Sequence, residues 1–237
     1  MLSFLASLVF SSIVSAKIVL IDPGHGGVEI GAVGKVKSQK IYEKDLSLRL
    51  AKKVKERLSK VTTVYLTRSL DRAVTLQERA DLAEMIKADL FVSLHFNSSP
   101  DHKGDGFELY YLDNNSDAAS KKVEKSENYN VKGEELTVNQ ILIDLVIQQT
   151  VAHSKRLALK VHESIKPVLK NFSIDDRGIK PGLFYVLALS KRPGILIEGG
   201  FVSNEKELSK INQDKYLDQL AKAISQGIYS FIKSEKN

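Results

Sequence analysis

Three reactive side chains stand at the ends of short apolar runs in the sequence. His25 lies in the turn DPGHGG at 22–27, directly after the run KIVLID, and His95 directly follows LFVSL. Glu198 is the last residue of the run GILIE. Runs of this kind predict buried strands, and open α/β sheets bind their ligands at the carboxyl ends of the strands. We therefore expect His25, His95 and Glu198 to converge at one edge of a sheet.

The turn that carries His25 and the carboxylate of Glu198 can also be interpreted in purely structural terms. The segment 22–27 could be a glycine turn with an incidental histidine, because Pro and Gly are common turn formers. A phosphate-binding loop is less favoured, since GHGG lacks both the GxGxxG spacing and a P-loop lysine. For Glu198 the structural interpretation is weaker, because a carboxylate on an apolar strand is seldom buried without a metal, a cation or a water as its partner.

Zinc binding is the chemistry that these residue types favour. The sequence contains no cysteine, so a metal ion must be held by histidines and carboxylates. Two imidazoles suit zinc, and a catalytic zinc takes three protein ligands and leaves a position open for water. The third ligand should be a carboxylate. Glu43 and Glu29 are both candidates, and their spacing does not decide between them.

The elements that must position these side chains alternate along the chain. Apolar runs predict strands at 17–22, 62–67, 90–94, 106–112, 183–189 and 194–198. Amphipathic stretches predict helices at roughly 43–59, around Leu76, Ala80 and Ala83, along a stripe from Leu142 that ends at Pro167, and from Leu217 to Phe231. This alternation predicts an α/β fold with an open, mostly parallel six-stranded sheet flanked by helices.

The amino end predicts export. Residues 1–16, MLSFLASLVFSSIVSA, carry no charge, are mostly apolar and end in small residues. This pattern favours a cleaved signal peptide that leaves 17–237 as the mature chain, over a buried first strand or a retained anchor. The segment is too short for an ordinary transmembrane helix, and no other apolar run approaches that length. We therefore expect no transmembrane span after cleavage.

The charge pattern argues against nucleic acid as a partner. Thirty-five Lys and Arg against 29 Asp and Glu give a net charge of +6, but the basic residues are spread along the chain among acidic ones. There is no Trp, and only 7% of the residues are aromatic, so a stacking surface for single-stranded bases is not expected.

One polar segment interrupts the alternation of strands and helices. Residues 113–139, DNNSDAASKKVEKSENYNVKGEELTVN, lie between a predicted strand and the long helix. A connection of this length inside a compact domain is usually either a functional cover or binding element, or a disordered loop. The sequence leaves both interpretations open.

From residue 17 onward, the chain resembles the zinc-dependent N-acetylmuramoyl-L-alanine amidases that split bacterial septa. The motifs that carry the resemblance are IDPGHGG at 21–27, Glu43 in IYEKDLSL, LTRSLDRAVTLQERADLAE at 66–84, ADLFVSLHFN at 88–97, GFELYYL at 106–112 and ILIEGGFVSNEKE at 195–207. Because these motifs are ordered over most of the chain, the resemblance is more specific than any single motif.

The resemblance implies a reaction and a role for each site residue. His25, Glu43 and His95 would bind Zn²⁺, and Glu198 would be the catalytic acid and base. The implied reaction splits the amide between N-acetylmuramic acid and L-alanine in peptidoglycan, which places 17–237, the catalytic domain, in the periplasm or outside the cell. Arg68 and Asn97 are candidate substrate contacts, although both could equally have structural roles.

The resemblance also implies a function for residues 113–139. They are similar to a regulatory insert of division-controlled members, in which a glutamate blocks the zinc site until a LytM-domain activator displaces it. Glu127 is the first candidate for that glutamate and Glu124 the second. The alternatives for the whole chain are a zinc peptidase or carboxypeptidase acting on the stem peptide, and a catalytically silent wall-binding module.

Overall fold

The structure, a computed structural model, describes residues 17–128 and 135–235. The predicted signal peptide at 1–16 lies outside the described residues, as does part of the polar segment at 113–139.

A six-stranded sheet forms the centre of the described chain. The described residues form eight strands, of which six belong to this sheet. The eight are β1 (Ile18–Pro23), β2 (Val33–Val36), β3 (Gln39–Tyr42), β4 (Thr63–Leu66), β5 (Leu90–Asn97), β6 (Phe107–Leu112), β7 (Asp176–Gly182) and β8 (Gly194–Phe201). The sheet has the order β4-β1-β5-β8-β6-β7, and its pairs are parallel except β6 with β8. Strands β2 and β3 form a separate hairpin. The predicted open, mostly parallel six-stranded sheet is confirmed.

Helices cover both faces of this sheet. They are α1 (Glu43–Leu58), α2 (Leu76–Met85), α3 (Ala118–Glu127), α4 (Glu135–Phe172), α5 (Tyr185–Ser190), α6 (Glu205–Ile211) and α7 (Asp214–Ser234). One apolar core lies between the sheet and α1, α7 and the second half of α4, while α2, α5 and the first half of α4 cover the other face. None of the helices in the described part of the chain is long and apolar enough to cross a membrane.

The strand predicted at 183–189 is wrong. The last strand of the sheet is β7, and residues Tyr185–Ser190 form the helix α5 instead. A short apolar run does not distinguish a strand from a buried helix, because both bury most of their side chains. Strand β7 escaped prediction because it is mostly polar, and it tolerates Pro181 at the edge of the sheet.

The predicted end of the long helix at Pro167 is also wrong. Helix α4 continues to Phe172 with Pro167 inside it and exposed to solvent. Burial of Val168 and Leu169 against the core holds the last turn in place beyond the proline. The predicted apolar stripe is interrupted too, since Leu142 is half exposed while neighbouring residues of α4 pack on the second core.

Candidate metal and catalytic site

The sheet brings the three reactive side chains to one edge. Strands β5 and β8 run parallel, and His95 lies opposite Glu198 in their register. Strand β1 is the other neighbour of β5, and it ends at Pro23, two residues before His25. Adjacent parallel strands therefore place the two histidines and the carboxylate at their common carboxyl end, where the sequence predicts them.

The turn after β1 fits closely around the second histidine. A Cβ atom on Gly24 would overlap the His95 ring, so this position has room only for glycine. His25 itself has a positive φ of 57°, and Gly26 and Gly27 follow with positive φ values as well. This backbone conformation, which glycine adopts easily, turns the chain so that the His25 and His95 rings lie edge to face, 5.0 Å apart.

Four side chains form a compact group of potential metal ligands. His25, Glu43, His95 and Glu127 each offer a nitrogen or oxygen atom, and these atoms lie within 4.8 Å of one another. Glu43 Oε1 is 3.0 Å from His95 Nδ1, and Glu43 Oε2 is 3.1 Å from His25 Nε2. Glu43, rather than Glu29, is therefore the carboxylate that contacts both histidines from α1. Glu29, its competitor in the sequence, pairs through its backbone with Gly26.

Backbone amides hold the Glu43 carboxylate in place. Glu43 is the first residue of α1, and its two oxygens accept hydrogen bonds from the amides of Ala32, at 2.8 Å, and Phe96, at 3.1 Å. The carboxylate is thus fixed from both sides before any ligand binds. A precise donor geometry of this kind is what a metal site requires.

The charges in the group fit a cation. His25 Nε2 is buried, and although Glu43 Oε2 lies 3.1 Å away, their geometry is not that of a hydrogen bond. Burial disfavours the charged form of His95, but the carboxylates of Glu127 and Glu43 outweigh burial and raise its pKa well above the usual range. Burial likewise opposes the charge on Glu43, yet the two histidines lower its pKa. Two carboxylates and two imidazoles around one point therefore suit a divalent metal ion.

Glu198 is a fully buried carboxyl beside this group. Among the described residues, neither of its oxygens has a hydrogen-bond partner. Burial, and after it the nearby Glu127 carboxylate, raise the pKa of Glu198 well above its usual range. A buried carboxyl with a raised pKa next to a group of metal ligands is suited to proton transfer.

Glu108, which sequence analysis missed, lies beside Glu198 in the register of β6 and β8. In contrast to Glu198, its carboxylate is fully bonded: it contacts Lys180 Nζ at 2.7 Å, Arg177 Nε at 2.9 Å and the Tyr110 hydroxyl at 2.7 Å. A carboxylate within the apolar run GFELYYL is the same signal that identified Glu198, and it could have found Glu108.

Asn97 is tied to the same carboxylate. Its side-chain amide donates to Glu108 Oε2 at 2.9 Å, and its side-chain oxygen accepts from the Ser98 amide at 2.7 Å. Asn97 is buried. These contacts favour the interpretation in which Asn97 shapes its loop.

The guanidinium of Arg68 is directed into the protein. It donates to the carbonyl oxygens of Pro23 at 3.0 Å, Gly24 at 2.7 Å and Lys44 at 2.8 Å. Arg68 is almost fully buried. Its geometry thus favours a structural role in supporting the turn of His25 over contact with a substrate.

The two candidate glutamates of the polar segment have different positions on α3. Glu127, at the end of the helix, lies with Oε2 2.8 Å from His95 Nδ1 and 3.5 Å from His25 Nε2. Glu124 lies one turn earlier and accepts a hydrogen bond from the amide of Leu183 at 2.8 Å. Glu127 is therefore the glutamate that faces the metal ligands, and Glu124 fastens α3 to the segment after β7.

A cleft of about 1280 Å³ opens beside the metal ligands. His25, Glu43 and His95 lie in it, together with apolar residues of the β1–β2 loop, α2 and α5. The end of α3, from Lys125 to Asn128, forms part of its wall. The cleft is large enough for a substrate of several residues or sugar units, and α3 stands between that space and part of the site.

Known proteins resemble this chain along most of its length. Residues 19–230 match the family N-acetylmuramoyl-L-alanine amidase. The chain is 34% identical over 217 residues to the N-acetylmuramoyl-L-alanine amidase LytC of Bacillus subtilis, in an alignment that covers 91% of this chain and 35% of LytC. It is 32% identical over 228 residues to the N-acetylmuramoyl-L-alanine amidase AmiA of Salmonella typhimurium, covering 92% of this chain and 77% of AmiA.

A solved structure extends this similarity to the fold. The N-acetylmuramoyl-L-alanine amidase from Clostridium difficile 630 has a TM-score of 0.71 and 33% identity, with 93% of this chain and 99% of that chain covered. This chain spans about a third of the length of LytC and most of the other two proteins. By its sequence match over residues 19–230, the chain belongs to the N-acetylmuramoyl-L-alanine amidase family.

Proposed function

We propose that this chain is a zinc-dependent hydrolase of peptidoglycan that cuts the amide between N-acetylmuramic acid and L-alanine, in the periplasm or outside the cell. The observation that carries the proposal is the meeting of His25, Glu43 and His95 beside the unbonded, buried carboxyl of Glu198. Three such ligands are a usual set for a catalytic zinc. The names of the relatives support the bond that is cut.

The three ligands hold the metal and Glu198 moves the proton. A zinc ion held there would lower the pKa of water toward about 7 and would polarise the amide carbonyl. Glu43 is kept in position by the amides of Ala32 and Phe96, so the ligand set is preorganised.

Glu198 acts as base and then as acid. Its raised pKa, caused by burial and by Glu127, favours the protonated form while α3 is in place. Departure of Glu127 lowers this pKa and favours the carboxylate, which can accept the proton of the attacking water. The carboxyl then gives the proton to the nitrogen of L-alanine, which is a poor leaving group without it.

The proposal includes inhibition by residues 113–139. The Glu127 carboxylate lies among the potential ligands and would exclude water from a metal ion held by His25, Glu43 and His95. An exported enzyme that cuts the cell wall needs such restraint, and cell separation is the process in which we expect it to act. A LytM-domain protein is the proposed activator, which would withdraw α3 from the site.

Mass analysis of the products released from purified peptidoglycan tests the reaction. We expect intact stem peptides with a free L-alanine amine and glycan strands without peptide. Stem peptides that are shortened or cut internally would instead identify a zinc peptidase or carboxypeptidase. Binding to peptidoglycan without any released product, by zinc-loaded protein with Glu127→Ala, would identify a wall-binding module.

A further inference from the structure

The segment after β7 offers three backbone groups to side chains of α3. The Leu183 amide donates to Glu124 Oε1 at 2.8 Å. The Leu183 carbonyl accepts from Asn128 Nδ2 at 2.6 Å, and the Tyr185 amide donates to Asn128 Oδ1 at 2.9 Å. These three backbone groups are therefore bonded to the side chains of Glu124 and Asn128. Within the described chain, they do not pair with another strand.

These three groups have the arrangement of a strand edge. Phe184 between them has the extended conformation, with φ −97° and ψ 117°. In an extended chain, the N–H and C=O of one residue and the N–H of the second residue after it point to the same side. The segment thus continues β7, which lies at the end of the sheet order. Such an edge can pair with the main chain of an extended peptide.

The side chains of α3 imitate that main chain. The carboxamide of Asn128 donates to a carbonyl and accepts from an amide, as a peptide group does. The Glu124 oxygen supplies a further acceptor, in the place where a peptide carbonyl would lie. Glu127 on the same helix contacts the potential metal ligands His95 and His25. One short helix thus fills both the edge and the reactive centre.

The edge and the reactive centre share one cleft. Tyr185, Asn128 and Glu127 line it together with His25 and His95. A chain bonded to the edge would therefore lie beside the metal ligands.

We propose that residues 183–185 form a peptide-binding edge, which pairs with the main chain of the stem peptide when α3 leaves. This inference rests on the proposed function, because the peptide it binds is the one that follows the amide to be cut. The substrate peptide and α3 then cannot bind at the same time, because they overlap both at the edge and at the proposed metal ligands. Specificity for a peptide-bearing muramic acid follows, since three backbone bonds need a chain beyond the first residue.

The test removes one backbone donor. Tyr185 is the first residue of α5, where proline is tolerated, and the extended Phe184 suits a following proline. Tyr185→Pro therefore deletes the amide donor, and Tyr185→Ala is its reference because it loses the same side chain but keeps the N–H. Both are made in the full chain carrying Glu124→Ala, Glu127→Ala and Asn128→Ala, so that α3 no longer occupies the edge.

Calorimetric titration with a synthetic stem tripeptide gives the affinity without any turnover. We expect about tenfold weaker binding by Tyr185→Pro than by Tyr185→Ala, the effect of one hydrogen bond whose partner is left unpaired. With peptide-bearing substrate, KM should rise by the same factor while kcat stays equal. With muramoyl-L-alanine, which has no peptide beyond its first residue, the two variants should not differ.

A second measurement does not depend on how the proline variant folds. Amide exchange in the parent triple variant should slow at Leu183 and Tyr185 when the tripeptide is added, with the intervening Phe184 amide as the internal reference. Equal affinity of the two Tyr185 variants, or unchanged exchange at Leu183 and Tyr185, would overturn the edge. Absence of amide cleavage in every variant would instead overturn the proposed function, so the two failures are distinguishable.

Discussion

Two buried polar clusters lie under the same turn after β1, and they differ in how completely they are bonded. The framework cluster consists of Asp22, Thr67, Arg68, Arg79 and Ser93. The site cluster consists of His25, Glu43, His95, Glu127 and Glu198. Both belong to the same region of the sheet, so the difference does not come from depth or from the kind of element that carries them.

In the framework cluster, every charged side chain is fully hydrogen-bonded. Asp22 accepts from the Thr67 hydroxyl at 2.6 Å and the Ser93 hydroxyl at 2.8 Å, and it pairs with Arg79. Burial alone would raise the pKa of Asp22, but the Arg79 charge and these hydrogen bonds hold it below the usual value. Arg79 also donates to the carbonyl of His25 at 3.0 Å, so the cluster supports the turn that carries this proposed metal ligand.

In the site cluster, some buried polar atoms have no hydrogen bond. Within the described chain, His25 Nε2 and both oxygens of Glu198 have no hydrogen-bond partner. The pKa values of His95 and Glu198 are raised, so both favour their protonated forms. Buried polar atoms are nearly always bonded in native proteins, and exceptions concentrate where a ligand binds or a reaction occurs. The site cluster therefore differs from the framework cluster in containing buried polar atoms without hydrogen bonds.

The greatest loss of stability should follow from a substitution that breaks the framework cluster. Arg79→Met leaves the Asp22 carboxylate buried without its cation, which should lower the free energy of unfolding by about 3–5 kcal/mol. Chemical denaturation measures this loss. The control is Arg156→Met, which removes the exposed pair with Glu235, 3.0 Å apart, and should cost less than about 1 kcal/mol. Equal losses in the two variants would mean that the framework cluster is not what supports the turn.

The next effect concerns rate rather than stability. Glu198→Gln should keep zinc and fold normally but lose at least about a hundredfold in turnover, the usual lower size of an acid-base contribution. His95→Ala should lose both zinc and activity. Turnover and metal content of both purified variants provide the measurement. Near-normal turnover of Glu198→Gln would remove Glu198 from the mechanism.

A smaller effect should come from Glu127, the proposed blocking glutamate. Glu127→Ala should raise basal release of dye from labelled peptidoglycan by about tenfold, which corresponds to roughly 1.4 kcal/mol of lost blocking contact. Replacing 113–139 with a short Gly/Ser linker should raise it further, and the activator should add little to that protein. Glu163→Ala, which removes an exposed glutamate paired with Lys166, is the control. A folded, zinc-loaded deletion protein no faster than the parent would disprove inhibition by the insert.

The smallest effect is a pH dependence of the metal-free protein. The pKa values of His25 and His95 are raised in the folded state, because nearby carboxylates outweigh burial. Their stabilising contribution is therefore complete below the unfolded pKa of about 6.5 and is lost as pH rises through the folded values. Thermal unfolding should show a lower Tm at pH 8 than at pH 6, by an amount that corresponds to about 1 kcal/mol. Zinc-loaded protein should not show this fall, and a metal-free Tm that rises over this interval would contradict the assignment of charges.

Sequence patterns predicted the part of the fold that depends on strong periodicity. Strand β5 and helix α1 bury regular apolar positions, and each appears close to its predicted place. Strand β7 does not, because an edge strand needs little apolar surface, and α5 imitates a strand because its short run is buried on most sides. Whether β7 and α5 form a strand or a helix therefore depends on their surroundings in the fold and not on their residue types alone.

The same limit applies to the site. The ends of β1, β5 and β8 located His25, His95 and Glu198, since strand ends meet at one edge. Spacing did not distinguish Glu43 from Glu29, because the choice depends on how the β2–β3 hairpin returns the chain to the sheet. The proposed edge at 183–185 would act through its backbone, which leaves no side-chain pattern in the sequence.

The most direct test of the difference between the clusters is calorimetric titration of the metal-free full chain with zinc, in two buffers of different protonation enthalpy. We predict one zinc ion per chain with release of protons, because nearby carboxylates raise the pKa values of His25 and His95 and the metal binds only deprotonated imidazoles. His95→Ala should abolish this binding. Failure to bind one zinc ion, or binding that is unchanged in His95→Ala, would contradict the claim that the incompletely bonded site cluster is a metal site.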